Sequence, residues 1–145
     1  MLGIQNVDHV GLRVGDRDRS VAFYEMLGFK MIADAGFDAG HPIVMQHPSG
    51  LVFNLLGPAT KGRGENILMD VEDKYPGYTH VALKLGSIED TEAFLAQHDI
   101  AISGRREFRG VKTVFIRDPD RNVLELIGQG PSVVELISDY VAQSA

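Results

Sequence analysis

The chain repeats itself without gaps at a fixed offset of 71 positions. Between Val7 and Gly57, eleven of the 51 residues are identical to the residue that lies 71 positions later. A unit of about 50 residues buries too little surface to be stable alone, so the two copies should share a core or pair. This repeat restricts the fold more than any other feature of the sequence.

The repeat changes at one chemically important position. Asn54 of the first copy corresponds to Glu125 of the second, while His9 and His80 are equivalent by the same offset. Two imidazoles and one carboxylate therefore occupy matching places in two copies of one unit. We expect His9, His80 and Glu125 to be the ligands of a metal ion.

Each copy has the polarity pattern of a β-α-β-β-β module. Residues 7–14 alternate in polarity like a half-buried strand, and a helix capped by Asp16 or Asp18 follows and stops at Gly28. The other predicted strands are 29–36, 42–47 and 51–57 in the first copy and 78–85, 100–108, 111–117 and 122–128 in the second. The second helix is predicted from a cap at Ser87 to about residue 98.

We expect a single domain over residues 1–145. Its modules cover about residues 4–57 and 78–128, a polar linker covers 58–77, and an amphipathic helix covers 132–143. The helices should cover the apolar face of each sheet. The opposite faces carry His9, Asn54, His80 and Glu125, which are out of phase with the apolar residues and too polar for a dry core. These faces should line a cavity.

Composition excludes several classes of function. The net charge of −6 argues against nucleic acid or an anionic membrane as a partner. The sequence contains neither an apolar run as long as a membrane span nor a basic start before an apolar core, so we expect no membrane span and no secretory signal. Without cysteine there is no disulfide, thiolate metal site or cysteine nucleophile. A cytoplasmic location fits this composition.

The motifs resemble those of the vicinal oxygen chelate superfamily, which includes glyoxalases, epimerases, extradiol dioxygenases, fosfomycin-resistance thiol transferases and bleomycin-resistance proteins. The segments that carry the resemblance are 8–12 (DHVGL), 23–29 (FYEMLGF), 79–83 (THVAL) and 118–126 (DPDRNVLEL). The resemblance implies an α+β fold in which two β-α-β-β-β modules form a half-open, eight-stranded, barrel-like cleft, to which the amphipathic pattern of the tail adds a C-terminal helix. It covers residues from about 4 to 128.

The resemblance also implies a divalent metal in the cleft, with Fe, Mn, Ni, Zn and Mg all compatible. By position, His9, His80 and Glu125 match three of the four ligands of glyoxalase I, and Asn54 stands where that enzyme has a second Glu. Asn54 is therefore either a ligand through its amide oxygen or a substrate-binding residue. Two imidazoles and one carboxylate leave coordination positions for a substrate that chelates through two oxygens.

The function we expect from this resemblance is metal-assisted lyase or isomerase chemistry on a small 2-oxo or 2-hydroxycarbonyl compound. Glu125 or a metal-bound hydroxide would be the base. Ring cleavage by a dioxygenase is disfavoured, because Phe115 replaces the family's Tyr and no His lies between Ser103 and Asp118. The competing functions are a metal-free small-molecule binding or resistance protein and a purely structural interaction module.

Basic residues give a weaker signal about the substrate. Arg13 and Lys84 are equivalent positions expected to face the cleft and bind substrate, and four further cations lie around one hairpin: Arg105, Arg106, Arg109 and Lys112. They would suit a carboxylate or phosphate group, or they form a solvated hairpin. We expect a homodimer, since two-fold dimers are the commonest assemblies.

Overall fold

The structure is a computed structural model that describes residues 1–62 and 64–145, and within them the chain forms two compact units. The first unit comprises Met1–Tyr75 and Asp118–Asn122, and the second comprises Pro76–Arg117 and Val123–Ala145. Each unit contains one of the β-α-β-β-β modules that the repeat predicts. The prediction of a two-module α+β fold with a C-terminal helix is therefore confirmed.

The first unit contains strands β1 (Val10–Arg13), β2 (Lys30–Asp34), β3 (Ile43–Gln46) and β4 (Val52–Leu56), with helix α1 (Arg17–Met26) after β1. The strand order is β1-β4-β3-β2, in which β1 and β4 are parallel and the other pairs antiparallel. Asp16 caps α1 by accepting a hydrogen bond from the Arg19 amide. Gly28 ends it at a φ of 103°, a conformation that glycine adopts without strain.

The core of the first unit is aromatic. The rings of Tyr24, Phe29 and Phe53 have centroids 5.0 to 5.6 Å apart. Tyr24 and Phe53 are fully buried, as are the aliphatic side chains of Ile43 and Leu55. Helix α1 therefore packs against the face of the sheet that the alternation of apolar residues predicts.

The second unit contains β5 (His80–Lys84), β6 (Ile102–Phe108), β7 (Val111–Arg117), β8 (Val123–Ile127) and helix α2 (Ile88–Gln97). Its strand order, β5-β8-β7-β6, repeats that of the first unit. The Ser87 hydroxyl accepts a hydrogen bond from the Asp90 amide and so caps α2 as predicted. Its core is aliphatic, because Leu95, Ile116 and Leu124 are almost fully buried.

Several strands are shorter than the sequence predicts. The first strand begins at Val10 rather than at residue 7, so His9 precedes it. The second ends at Asp34 and is followed by a turn of 3₁₀ helix at Phe37–Ala39. In the second copy the first strand begins at His80 rather than at residue 78.

The linker between the modules forms neither helix nor strand over its described residues, 58–62 and 64–77. Its Asp70 carboxylate binds the Arg121 guanidinium, with Oδ2 2.6 Å from Nε and Oδ1 3.1 Å from Nη2. The C-terminal helix α3 covers Val133–Ser144 and begins with a capping box of Ser132 and Glu135. None of the described helices is both long enough and apolar enough to cross a membrane.

Candidate functional site

The structure brings together two of the predicted ligands, His80 and Glu125, in the second unit. The His80 Nε2 atom lies 2.9 Å from Glu125 Oε2. His80 begins the edge strand β5, and Glu125 is the middle residue of the neighbouring strand β8. The side chain of His80 is 37% exposed and that of Glu125 is 10% exposed. The pair therefore joins a nearly buried carboxylate to an imidazole that solvent can reach.

Glu125 points to this face because of its phase in β8. Its neighbours Leu124 and Leu126 are buried, and successive side chains of a strand point to opposite faces. In the register of the sheet, Glu125 lies beside Ala82 of β5 and Phe115 of β7. Strand β8 is a central strand with a neighbour on each side, so the carboxylate is shielded by both adjacent strands.

Both predicted histidine ligands hold the same ring nitrogen against the residue before them. His80 Nδ1 lies 2.8 Å from the Thr79 hydroxyl oxygen, and His9 Nδ1 lies 2.6 Å from Asp8 Oδ2. The Asp8 carboxylate can only accept, so it favours the His9 tautomer that leaves Nε2 unprotonated and able to bind metal. The Thr79 hydroxyl can either donate to His80 Nδ1 or accept from it. Asp8 and Thr79 are equivalent positions of the repeat. The sequence therefore contains a polar residue before each predicted histidine ligand. The positions of the ligands alone do not single these two residues out.

The donor atoms of the His80–Glu125 pair fit a divalent metal ion. Imidazole nitrogen and carboxylate oxygen are usual ligands for Zn, Fe, Mn and Ni. Two ligand atoms about 2.1 Å from one metal ion and at right angles lie about 3 Å from each other, close to the spacing seen here. Among residues 1–62 and 64–145, no group of three or more His, Asp or Glu side chains could hold a metal ion. His9 belongs to the other unit.

The basic hairpin does not act as one cluster. Arg105 donates a hydrogen bond of 2.8 Å to Glu92 of α2, and Lys112 lies 3.9 Å from Glu89 of the same helix. Arg109 donates to Gln143 of α3 at 2.6 Å. Arg106 points to the other face, where its Nη2 lies 3.8 Å from Glu125 Oε1. One of the four predicted cations therefore joins the candidate site.

The three predicted substrate-binding residues lie in both units. Asn54 and Arg13 share the open face of the first sheet, since Asn54 is beside Gly11 in register and Arg13 follows two residues later. The Arg13 guanidinium donates a hydrogen bond of 3.4 Å to the Gly57 carbonyl. Lys84 is on the same face of its sheet as His80 and Glu125, and its Nζ donates to the Pro131 carbonyl at 3.4 Å.

A second buried carboxylate, Asp118, has a structural role. Its Oδ2 accepts hydrogen bonds from the Tyr24 hydroxyl at 2.7 Å and the Asn122 amide at 2.8 Å. Its Oδ1 accepts from the backbone amides of Asp120 and Asn122. Burial raises the pKa of Asp118, although these hydrogen bonds oppose the shift. Burial and the nearby carboxylate raise the pKa of Tyr24 far above its ordinary value.

Sequence comparison identifies one family. The profile of the Glyoxalase/Bleomycin resistance protein/Dioxygenase superfamily matches residues 6–126 of this chain. No curated protein matches it significantly in sequence.

Solved structures with low sequence identity share the fold. A glyoxalase family protein from Enterococcus faecalis is 23% identical and aligns over 87% of this chain and 99% of its own, with a TM-score of 0.71. A lactoylglutathione lyase from Agrobacterium tumefaciens is 17% identical, with 88% and 96% aligned and a TM-score of 0.64. An antibiotic binding protein from Streptomyces sp. CB03234 is 20% identical, with 90% and 100% aligned and a TM-score of 0.66.

Proposed function

We propose that this chain, which belongs to the Glyoxalase/Bleomycin resistance protein/Dioxygenase superfamily, is a metal-dependent enzyme of the lyase or isomerase type. Its substrate would be a small molecule with two neighbouring oxygens, such as a 2-oxo or 2-hydroxycarbonyl compound. The observation that carries the proposal is the 2.9 Å spacing between His80 Nε2 and Glu125 Oε2. An imidazole and a carboxylate at this spacing can bind one divalent metal ion together.

His80 and Glu125 would hold a divalent ion, for which Fe, Mn, Ni, Zn and Mg are equal candidates. His9 is proposed as the third ligand, because it is the repeat equivalent of His80 and its Nδ1 is likewise bound to the preceding residue. The bound metal would supply Lewis-acid polarisation of the substrate oxygens. The chain must then supply a base that removes a proton from the carbon next to the polarised carbonyl group.

Glu125 is the proposed base. Its two oxygens have different surroundings, since Oε2 faces His80 and Oε1 faces Arg106 at 3.8 Å. One oxygen can therefore take up a proton while the other stays beside the imidazole. The carboxylate is nearly buried, which limits competition from water for the same proton. Arg13, Asn54 and Lys84 are proposed to bind the substrate, and Asn54 is also proposed as an additional ligand.

Metal analysis of the purified protein tests this proposal directly. We expect about one divalent ion per chain when chelators are omitted, and the single variants His80→Ala and Glu125→Gln should lower the affinity at least tenfold. The matched control is His98→Ala, because His98 lies at the end of α2 and its Nδ1 is bound to the Phe94 carbonyl. The His9→Ala variant tests the third ligand. Equal metal content in the wild type, His80→Ala and Glu125→Gln would contradict the proposal.

Activity is tested on the metal-loaded protein with an adduct of a 2-oxoaldehyde and a thiol, and with a 2-oxo acid thioester that can be epimerised. Turnover of either should fall at least a hundredfold in Glu125→Gln if Glu125 is the base. A protein that binds metal but turns over neither substrate would exclude glyoxalase and epimerase chemistry.

A metal-free binding protein of the same fold is the second candidate. It is favoured by the finding that no group of three or more His, Asp or Glu side chains among the described residues could hold a metal ion. The similar Streptomyces structure is described as an antibiotic binding protein. Dioxygenase chemistry is less well supported, because Phe115, the neighbour of Glu125 in register, lacks a hydroxyl group. A chain without bound metal that still binds a small aromatic ligand would favour this candidate.

We also propose a homodimer located in the cytoplasm. The absence of cysteine fits a reducing compartment. Helix α3 exposes an apolar face that a second copy could cover, formed by Val133, Val134, Ile137 and Val141, each 48–71% exposed. Light scattering coupled to size-exclusion chromatography tests the dimer, and a mass of 15.9 kDa would exclude it.

A further inference from the structure

We infer that Arg106 is a specificity-determining residue that selects substrates carrying an anionic group beside the chelating oxygens. The inference rests on the proposed function and names the chemical class of its substrate. The anionic group is an oxyanion of the carboxylate, phosphonate or phosphate kind, which the planar guanidinium recognises through paired hydrogen bonds.

A β-bulge places Arg106 on the face of Glu125. Strand β6 pairs with β7 in a register that shifts between Ile102 and Gly104. After the shift, Arg106 lies opposite Thr113 of β7. Thr113 points to the same face as Phe115, which pairs with Glu125. Without the extra residue of the bulge, Arg105 would have occupied this place instead. Bulges commonly redirect a side chain in this way near functional sites.

The neighbouring arginine shows what the redirection achieves. Arg105 lies on the opposite face of β6, where its Nε donates a hydrogen bond of 2.8 Å to Glu92 of α2. Arg106 lies 3.8 Å from Glu125 Oε1, which is longer than a direct hydrogen bond, and 65% of its side chain is exposed. The guanidinium therefore keeps donors available for a second, incoming partner.

The charged side chains around the pair favour an anionic ligand over a neutral one. The register row that crosses the four strands carries Arg106 at one edge and Lys84 at the other, with Thr113 and Ile127 between them. Glu125, in the adjacent row, is the single carboxylate in these two rows. One carboxylate cannot balance two side-chain cations and a divalent ion, so an anionic substrate is favoured over a neutral one.

Hydroxamates that share one chelating head test this inference. Acetohydroxamate has no charged arm, succinomonohydroxamate adds a carboxylate, and phosphonoacetohydroxamate adds a phosphonate. The assay is isothermal titration calorimetry of each compound with the metal-loaded chain, which measures binding and not turnover. We expect at least one anionic arm to increase the affinity of the wild type about tenfold, the lower end for a charge-assisted hydrogen bond at an exposed arginine.

Two variants locate the effect. Arg106→Ala should remove the tenfold difference between the charged and uncharged hydroxamates, and Arg106→Lys should restore part of it. Arg105→Ala is the matched control on the opposite face of the strand and should keep the full increase. The difference between the carboxylate and phosphonate compounds then identifies which oxyanion is preferred.

The outcomes separate this inference from the proposed function. Equal affinity of the wild type for all three compounds, or an increase that survives Arg106→Ala, would overturn the role of Arg106 and leave the metal site intact. Failure of all three hydroxamates to bind the wild type would overturn the metal site and this inference together.

Discussion

The Tyr24→Phe variant gives the sharpest test of how the first unit is held together. The substitution removes the hydroxyl that donates to Asp118 Oδ2 at 2.7 Å and leaves the rest of the ring in place. The ring contacts with Phe29 and Phe53 are therefore kept. Because Tyr24 is fully buried, water cannot replace the lost donor without entering the core.

The size of the stability loss depends on the hydrogen-bond donors to Asp118 that remain. Hydrogen bonds to charged groups contribute about 1.5–3 kcal/mol to stability. In the variant, Asp118 would keep the side-chain amide of Asn122 and the backbone amides of Asp120 and Asn122. The carboxylate is thus not left without partners, and we expect a loss near the lower end, about 1.5–2 kcal/mol at pH 7.

The difference in stability between wild type and variant should become smaller at both low and high pH. The Tyr24 hydrogen bond lowers the pKa of Asp118 against the larger effect of burial, so the variant should have a still higher Asp118 pKa. The difference shrinks as pH falls through these values, because the hydroxyl stabilises the ionised carboxyl more than the protonated one. Above about pH 10 it shrinks again, since unfolded Tyr24 ionises while folded Tyr24, whose pKa is raised, does not.

Urea unfolding followed by circular dichroism between pH 4 and pH 11 measures this difference. Tyr78→Phe is the control, because Tyr78 is fully exposed and its hydroxyl should contribute nothing to stability. A loss below about 0.5 kcal/mol at pH 7, or one that is the same at pH 4 and pH 7, would refute the reasoning.

Two further predictions concern packing and capping. Gly57→Ala should lower the free energy of unfolding by about 3 kcal/mol, because its new Cβ would lie 1.8 Å from Phe37 Cζ. The control is Gly86→Ala, whose new Cβ meets nothing within 4 Å. Equal melting temperatures for the two variants would contradict this prediction. Ser132→Ala removes the capping hydroxyl that accepts from the Glu135 amide, so hydrogen exchange in α3 should quicken as helix stability falls by about 1 kcal/mol. Unchanged exchange there would show that the cap does not hold the helix.

The internal repeat was enough to predict the two modules, because two copies with the same pattern of polarity form sheets with the same strand order. The ends of the strands were less predictable. Alternation of polarity reports which face a side chain occupies but not whether a partner strand is present. Strand β4 begins at Val52 and Val10 pairs with Phe53, so residues 7 and 8 have no β4 residue beside them. The predicted strand is therefore too long at that end.

The sequence predicted the part of the site that depends on which face of a strand each side chain occupies. The alternation along β5 and β8 predicted that His80 and Glu125 share a face, and the structure adds their 2.9 Å contact. The alternation could not predict which arginine of the hairpin lies on the same face as His80 and Glu125. A bulge reverses the phase of β6 after Ile102, and the consecutive residues Arg105 and Arg106 carry no sequence signal that fixes where the extra residue lies.

The two copies share their architecture but not their chemistry. The bulge recurs at equivalent places, between Met31 and Ala33 in the first copy and between Ile102 and Gly104 in the second. The bulge is therefore a property of the repeated unit and not of the charged side chain that it exposes.

Two charged side chains of the candidate site have no charged equivalent in the first copy. The first-copy residues equivalent to Glu125 and Arg106 are Asn54 and Ala35, which are uncharged. In place of the aromatic residues Tyr24 and Phe53, the second copy has aliphatic residues in its core. Under the proposed function, substitutions on the open face of the second sheet should therefore change metal and ligand binding with little loss of stability. Core substitutions in the first unit should instead change stability first, because its buried rings have no part in the charged site.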